Sequence, residues 1–345
     1  MVRKRRTAID RRRWLGATTG LALLAIAGPG AVAAQTLNAY SIWPENWARP
    51  ILQEFETETG IKVNFLRFSS GEALARILAE KSNPRVDVLF GGPVETFAAG
   101  IKEGVFDTYT PPAAAVLPAR FRSAEGYWTA IADDPLVFMT NRKFLAENKL
   151  APPASWEDLL NPAYKGLLQM ADARTSGTAV TRIFSILEVH GRVEDKAFAF
   201  MKRLRPNIQL YTKSGGGGTL PTGLGQSAGG IFFIVDALDT QAKGYDVAIS
   251  FPKEGIGTAA EAIALIKGAK NPEAAKKLID WSTSPAMQLL FAKHKINFVP
   301  AHPDVKTEAG LAEVLKGAKI FAIDDTYAGA NRKRIVERWV AEILP

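Results

Sequence analysis

The sequence contains no cysteine and only three histidines among its 345 residues. The absence of cysteine excludes disulfide bonds and thiolate metal sites, so the folded chain must be stabilised by its hydrophobic cores alone. The histidines His190, His294 and His302 follow no motif spacing. Because no nucleophile and base can be paired from such a sequence, we predict a protein that is not an enzyme and keep a secreted enzyme as the remote alternative.

The chain also has little excess of basic over acidic residues once residues 1–34 are set aside. Those residues hold seven of the 43 Lys and Arg and one of the 35 Asp and Glu, which leaves 36 basic and 34 acidic residues. A nearly neutral chain without a basic run is not expected to bind nucleic acid. The four glycines at 215–218 lack the Gly-Lys-Ser/Thr ending of a nucleotide-binding loop, so we predict no cofactor and interpret this run as a flexible loop.

The segment 1–34 has the pattern of an export signal. A basic head is followed by an apolar stretch at 15–28 that is short for a membrane span, and then by the small-residue cleavage pattern Ala31-Val32-Ala33. Residues 10–15 resemble the twin-arginine motif, although Asp10 stands where Ser or Thr is usual. We therefore predict a periplasmic protein with a cleaved signal that is of the twin-arginine type; a general secretion signal and an uncleaved anchor are the alternatives.

The chain after the signal alternates strand and helix patterns. Strands are predicted at 37–42, 62–68 and 86–90, with helices at 46–59 and 70–81 between them. This order predicts an α/β fold with a mainly parallel sheet, in which ligands bind at the carboxyl ends of the strands. The loops at those ends contain the candidate ligand-binding residues Ser41, Trp43, Glu45, Ser70 and Gly91.

A second group of candidates follows the strand predicted at 166–170. These candidates form a polar turn before a helix predicted at 179–190, and they are Arg174, Thr175, Ser176, Gly177 and Thr178. Unpaired backbone N–H groups and hydroxyls at such a helix start favour the binding of an anion. The alternative is that Thr175 or Ser176 is merely a helix cap. Asp236 ends a strand predicted at 229–235, where it either faces a ligand or caps the next helix.

Two segments are candidates for strands that cross between domains. One is the run at 130–140, and the other is the segment 252–258 between strands predicted at 247–251 and 262–266. The 311 residues that follow the signal are enough for two domains of ordinary size.

Several motifs together resemble the periplasmic solute-binding proteins of ABC importers. The resemblance extends over nearly the whole mature chain, and it is carried by motifs that include Tyr40-Ser41-Ile42-Trp43, Ser69-Ser70-Gly71-Glu72, Asp87-Val88-Leu89-Phe90-Gly91-Gly92, Ser155-Trp156-Glu157-Asp158 and Asn271-Pro272-Glu273-Ala274-Ala275-Lys276. It is strongest to the branch labelled iron(III)-binding, which also includes binders of 2-aminoethylphosphonate and of hexose phosphates.

The resemblance implies a type II periplasmic binding protein architecture, with two α/β lobes that are joined by crossing strands and close on a ligand. We place 35–136 and 257–345 in lobe one and 137–256 in lobe two. The implied partners are a small anionic or zwitterionic ligand, an ABC permease and its ATPase, and the implied state is a monomer.

The side chains favour one ligand class within this branch. Direct iron binders hold ferric iron with tyrosinates, which are typically adjacent, but no two of the seven tyrosines here are adjacent. Related sugar-phosphate binders commonly have a His-Asp pair where this chain has Val235-Asp236. A phosphonate or organic phosphate needs only N–H and O–H donors, and a cationic amine on it would be neutralised by Asp236, Glu45 or Glu254 and stacked on Trp43 or Trp47. We therefore favour a small phosphonate such as 2-aminoethylphosphonate; ferric iron is the alternative.

Overall fold

The computed structural model describes residues 36–344, so the export signal predicted for 1–34 lies outside the described residues. The eleven strands of this part of the chain are β1 Thr36–Ser41, β2 Lys62–Arg67, β3 Val88–Pro93, β4 Thr129–Asn141, β5 Leu168–Ala171, β6 Ile208–Thr212, β7 Gly229–Phe233, β8 Val247–Ser250, β9 Ile256–Leu265, β10 Val299–Pro300 and β11 Ile320–Ala322. They form one connected series in the order β2-β1-β3-β9-β4-β7-β5-β6, with β8 and β10 paired to β4 and β11 paired to β9.

Twelve α-helices of the described residues flank these strands. They are α1 Glu45–Thr59, α2 Ser70–Ala79, α3 Val94–Lys102, α4 Arg142–Glu147, α5 Gly177–Val189, α6 Glu194–Leu204, α7 Thr219–Gly223, α8 Ile234–Ala242, α9 Pro272–Thr283, α10 Pro285–Lys293, α11 Ala309–Leu315 and α12 Asp325–Glu342. Within residues 36–344, no helix combines the length and the apolar character that a membrane crossing requires.

Local sequence signals explain many of the observed boundaries. Helix α1 ends where Gly60 adopts φ of 70°, a left-handed conformation that glycine reaches without steric cost. Helix α10 begins at Ser284-Pro285, where the Ser284 side chain accepts a hydrogen bond from the backbone N–H of Met287. Strands β1, β2 and β3 pair in parallel, as the alternation of strand and helix patterns predicted.

Strand β4 connects the part of the sheet that contains β1, β2, β3 and β9 with the part that contains β5, β6 and β7, and these two parts are here called the two halves of the molecule. Its segment from Thr129 to Pro135 pairs antiparallel with β9, while Leu136 to Thr140 pairs antiparallel with β7. All thirteen residues of β4 and all ten of β9 are buried. The crossing predicted at 130–140 is therefore present as a buried strand that exchanges one partner for another between Pro135 and Leu136.

Two predicted segments differ from the structure. The segment 252–258 was expected to precede a strand at 262–266, but β9 already begins at Ile256. The glycine run at 215–218 was expected to be a flexible loop, but it forms a 3-10 turn that leads directly into α7. The glycines are packed against neighbouring side chains, and this close approach is possible because they carry no side chain of their own.

Candidate functional site

A cavity of about 60 Å³ lies where the carboxyl ends of β1, β2 and β3 meet the amino ends of α5 and α8. By the same measure one water molecule needs about 10–15 Å³, so the cavity accommodates a group of several heavy atoms. Its walls divide into an end rich in hydroxyl and N–H donors, here called the donor end, and an end with three carboxyl groups, here called the acidic end.

The donor end is formed by the starts of two helices. Ser69 and Ser70 lie at the amino end of α2, and Ser176, Gly177 and Thr178 lie at the amino end of α5. Ser176 occupies the N-cap position of α5, but its side chain makes no capping hydrogen bond. Its hydroxyl is therefore available to form a hydrogen bond with a ligand. Two helix amino ends that point into one cavity supply N–H donors and partial positive charge, which together favour an anion.

The glycine run closes the cavity beside the donor end. A Cβ atom on Gly215 would lie 2.1 Å from Thr178 Oγ1, and a Cβ atom on Gly216 would lie 2.4 Å from Asp236 Oδ1. Similarly, a Cβ atom on Gly177 would lie 2.6 Å from Ser70 Oγ. These positions require glycine because the backbone itself forms the wall of the cavity.

The acidic end contains Asp134 of β4, Glu261 of β9 and Asp236 of α8. Burial raises the pKa of Glu261 from 4.5 to about 8, and burial raises that of Asp236 from 3.8 to about 7. Burial, with the neighbouring charges of Glu261 and Asp236, also raises the pKa of Asp134 well above its ordinary value. Three carboxyl groups that are costly to ionise together favour a ligand that brings a positive charge.

Trp43 positions one of these carboxyl groups. Its indole Nε1 donates a 2.7 Å hydrogen bond to Glu261 Oε2, which also accepts a 2.6 Å bond from the backbone N–H of Gly92. The indole ring stacks on Phe298 with 4.4 Å between ring centroids. One face of Trp43 is therefore occupied by protein, and its polar atom holds Glu261 rather than a ligand.

Arg67 at the end of β2 is the one basic side chain among the described residues that line the cavity. Its Nη1 donates to Ser69 Oγ at 3.3 Å. Burial of the guanidinium lowers the pKa of Arg67, and the charges of Asp236 and Glu72 partly offset this effect. Arg67 therefore lies at the donor end within the electrostatic reach of the acidic end.

The structure brings six of the twelve predicted site residues to the cavity wall, namely Trp43, Ser70, Ser176, Gly177, Thr178 and Asp236. Asp236 lies in the first turn of α8, which begins at Ile234, so it does not cap that helix. The other six predicted residues do not line the cavity. Two of them donate to backbone carbonyls, Ser41 to that of Trp43 and Thr175 to that of Lys213, and Gly91 lies against the Trp43 ring. The remaining three are charged and have partners in the protein: exposed Glu45 pairs with Arg49, exposed Arg174 pairs with Asp172, and Glu254 accepts a hydrogen bond from Ser155.

Arg67, Asp134 and Glu261 line the cavity but were not predicted. Glu261 is the only charged residue of β9, a strand that is otherwise apolar or small, and a lone acid in such a run is the signal that could have identified it. Asp134 and its neighbour Asp133 lie in the run predicted as a crossing strand, and both are buried in β4, with 1% and 5% of their surface exposed.

Contacts across the cleft hold its two walls together. The backbone N–H of Gly71 donates a 2.8 Å hydrogen bond to the Thr175 carbonyl, and Lys213 Nζ lies 2.7 Å from Glu72 Oε1. A Cβ atom on Gly71 would lie 2.5 Å from the Arg174 carbonyl oxygen. The structure is therefore that of a closed cleft in which α2 touches the turn before α5.

Ferric iron, the alternative ligand, would require a cluster of ligating side chains. Residues 36–344 contain no group of three or more His, Asp or Glu side chains that could hold a metal ion, and none of their tyrosines lines the cavity. Tyr40 and Tyr109, for example, donate their hydroxyls to Glu80 and Asp280.

Comparison with known proteins identifies the family. The family model described as bacterial extracellular solute-binding protein matches residues 51–320, and an uncharacterized protein of Haemophilus influenzae is 30% identical over 296 residues, which are 84% of this chain and 85% of the relative. The chain belongs to the bacterial extracellular solute-binding proteins. It is a solute-binding protein and not an enzyme.

Individual relatives bear names with different ligands. The structure of AfuA from Actinobacillus pleuropneumoniae, described with exogenous fructose-6-phosphate bound, is similar with a TM-score of 0.84 and 29% identity, covering 90% of this chain and 98% of that chain. A protein of Salmonella paratyphi A, provisionally named as 2-aminoethylphosphonate-binding and periplasmic, is 25% identical and covers 78% of this chain and 80% of the relative. Iron uptake protein A1 of Synechocystis is also 25% identical, with coverage of 76% and 75%.

These findings confirm the resemblance that the sequence motifs carried. They also confirm the fold class, because the matching structures are periplasmic binding proteins and the observed halves are two α/β lobes joined by crossing strands.

Proposed function

We propose that this protein is the periplasmic substrate-binding component of an ABC importer, and that its ligand is a small phosphonate or organic phosphate that also carries a cationic amine. The observation that carries the proposal is the pairing, in one small cavity, of a donor end without carboxylates and an acidic end with three of them. A zwitterion such as 2-aminoethylphosphonate matches both ends.

The donor end is suited to a phosphonate group. Ser70, Ser176 and Thr178 supply hydroxyls, Gly177 supplies backbone N–H, and Arg67 supplies positive charge. Hydrogen bonds to an ionised oxygen are about twice as strong as those between neutral groups. The phosphonate would therefore be bound mainly by fixed donors that are already aimed into the cavity.

The acidic end is suited to an ammonium group. Burial raises the pKa values of Asp236 and Glu261 to about 7 and about 8, so both groups are partly protonated near neutral pH. An ammonium group placed beside them would favour their ionised forms and form a buried, hydrogen-bonded charge pair. A phosphate without an amine would leave these acids without a partner.

Closure of the two lobes on the ligand is the mechanism that fits this site. We place the lobe boundaries near residues 136 and 257, which agrees with the change of partner of β4 after Pro135 and with the start of β9 at Ile256. Ligand contacts from both lobes would favour the closed state over the open one. A membrane permease with its ATPase would then receive the ligand from this protein, which we expect to act as a monomer exported by a cleaved signal.

The proposal is tested by the thermal midpoint of the metal-stripped mature protein with 2-aminoethylphosphonate, ethylphosphonate, fructose-6-phosphate, inorganic phosphate and ferric citrate. A ligand that binds only the native state raises the midpoint. We expect the largest rise with 2-aminoethylphosphonate and none with iron. A rise with ferric citrate alone would show that the protein is an iron binder and that the proposed ligand class is wrong.

A further inference from the structure

A second concave site lies at the opposite end of β3 from the cleft. This site, here called the basic groove, measures about 570 Å³, and its lining includes Ile77, Lys81, Arg85, Val86, Lys267 and Lys270. Val86 precedes the first residue of β3, whereas Pro93 at the last residue of β3 lines the cleft. Six residues of strand at a rise of ~3.3 Å separate the two sites by about 20 Å, so the basic groove is a separate site.

The charges around the basic groove are predominantly of one sign. Lys81, Arg85, Lys267 and Lys270 are all exposed there, and within residues 36–344 none of them forms an ion pair with an acidic side chain. Lys81 Nζ donates a hydrogen bond to the Glu103 carbonyl, which is uncharged and leaves the positive charge of Lys81 unbalanced. Glu80 is the one acid in the described lining, and it already pairs with Arg76 at 2.6 Å and accepts the Tyr40 hydroxyl at 2.8 Å. The groove therefore has an excess of positive charge that the protein does not neutralise.

The walls between these cations are carbon-rich. Ile77, Val86, Val105 and Ile266 lie beneath the groove, where each is at most 6% exposed. The accessible carbon surface above them comes from half-buried Pro84 and from the methylene stems of the exposed lysines. Gly268, with φ of 75°, turns the chain sharply between Lys267 and Lys270. A volume of 570 Å³ lies within the ~300–1,000 Å³ that is usual for sites that bind small organic molecules.

We propose that the basic groove binds an organic anion with an apolar body and two or more negative charges. The charge excess selects a polyanion, and the accessible carbon surface of Pro84 and the lysine stems selects an apolar body over a fully hydrated ion such as inorganic phosphate. This inference does not depend on the ligand of the cleft, because the two sites share no lining residue.

Fluorescein tests the inference, since it joins a fused-ring apolar body to two negative charges at mildly alkaline pH. Its fluorescence anisotropy is followed while the protein is added at low ionic strength. We expect saturable binding of one dye per chain, and binding at least about tenfold weaker in the double variant Lys267→Glu/Lys270→Glu, because each reversal turns an attraction into a repulsion.

The matched control is Lys165→Glu/Lys196→Glu, which reverses two exposed lysines outside the groove. The control should bind the dye within about twofold of the unmodified protein. The milder variant Lys267→Ala/Lys270→Ala should weaken binding by less than the reversal does, and the thermal midpoint of each variant verifies that it folds. Absence of saturable binding, an equal loss in both double reversals, or competition from a cleft ligand would each overturn the proposal.

Discussion

The two ends of the cleft are built from different parts of the fold. The donor end comes from chain segments in which a strand is followed almost at once by a helix, so that Ser70 and Ser176 sit beside helix amino ends. Two of the three acids of the acidic end, Asp134 and Glu261, come from the interiors of the buried strands β4 and β9. The first end presents hydroxyl and N–H donors beside the guanidinium of Arg67, whereas the second holds carboxyl groups whose pKa values burial has raised.

This difference suggests a division of labour. The donor end should give affinity for any phosphonate or phosphate group, because its N–H and O–H donors contact only the phosphoryl oxygens and not the rest of the ligand. The acidic end should give selectivity, because a ligand without a cation leaves its carboxyl groups unpaired.

Removal of donors should have the largest effect on binding. In Ser70→Ala/Ser176→Ala, two hydrogen bonds to an ionised group are lost at about 1.5–3 kcal/mol each, so affinity for 2-aminoethylphosphonate should fall at least about 100-fold. Isothermal titration calorimetry measures the loss, and ethylphosphonate should lose affinity to a similar extent. Thr175→Ala is the matched control, since the Thr175 hydroxyl donates to the Lys213 carbonyl. A normal affinity in the double variant would remove the donor end from the site.

Removal of one acid should distinguish the role of the acidic end from that of the donor end. In Glu261→Gln, affinity for 2-aminoethylphosphonate should fall by about 30-fold or more, because the ammonium loses a buried charge partner. Affinity for ethylphosphonate, measured in the same titrations, should stay level or rise. Equal losses for both ligands would mean that Glu261 only supports the shape of the cavity through Trp43 and Gly92.

Obstruction of closure should weaken every ligand of the cleft. A Cβ atom on Gly71 would meet the Arg174 carbonyl at 2.5 Å, so Gly71→Ala should reduce affinity about tenfold while the thermal midpoint without ligand changes little. Lys213→Ala, which removes an exposed ion pair across the same cleft, should cost less than about threefold. If Gly71→Ala instead bound ligand normally, the close contact of α2 with this turn would not be part of the bound state.

The smallest expected effect concerns stability against pH. The folded pKa of Glu261 is about 8 against an ordinary 4.5, so the native state holds more protons than the unfolded state between those values. The thermal midpoint without ligand should therefore fall as the pH rises from about 5 to about 8. In Glu261→Gln the thermal midpoint should fall by a few degrees less over the same pH range. Differential scanning calorimetry at several pH values measures it. If the thermal midpoints of the two proteins changed in parallel with pH, the pKa of Glu261 would not be raised by burial.

The comparison of the two ends also explains what the sequence could reveal. Helix α1 was predicted at 46–59 and lies at Glu45–Thr59, because a clear helical period is a local signal. Ser70, Ser176, Gly177 and Thr178 were predicted for the same reason, since a strand followed by a polar turn and a helix is visible in consecutive residues.

The acidic end depends on contacts between distant segments. Glu261 lies 169 positions from Gly92 and 218 from Trp43, its hydrogen-bond partners, so no short motif connects them. Thr175 and Arg174 were predicted alongside Ser176, but a turn sends neighbouring side chains in different directions. The position of the cavity relative to that turn is set by tertiary packing, which a local pattern does not contain.

The central claim is that the phosphonate group binds at the donor end and the ammonium group at the acidic end. A crystal structure of the mature protein with 2-aminoethylphosphonate tests it most directly. The account predicts phosphonate oxygens within hydrogen-bond distance of Ser70 and Ser176, and the ammonium nitrogen within hydrogen-bond distance of Glu261 or Asp236. A ligand bound in the reverse orientation, or a cleft that holds ferric iron in its place, would contradict the account.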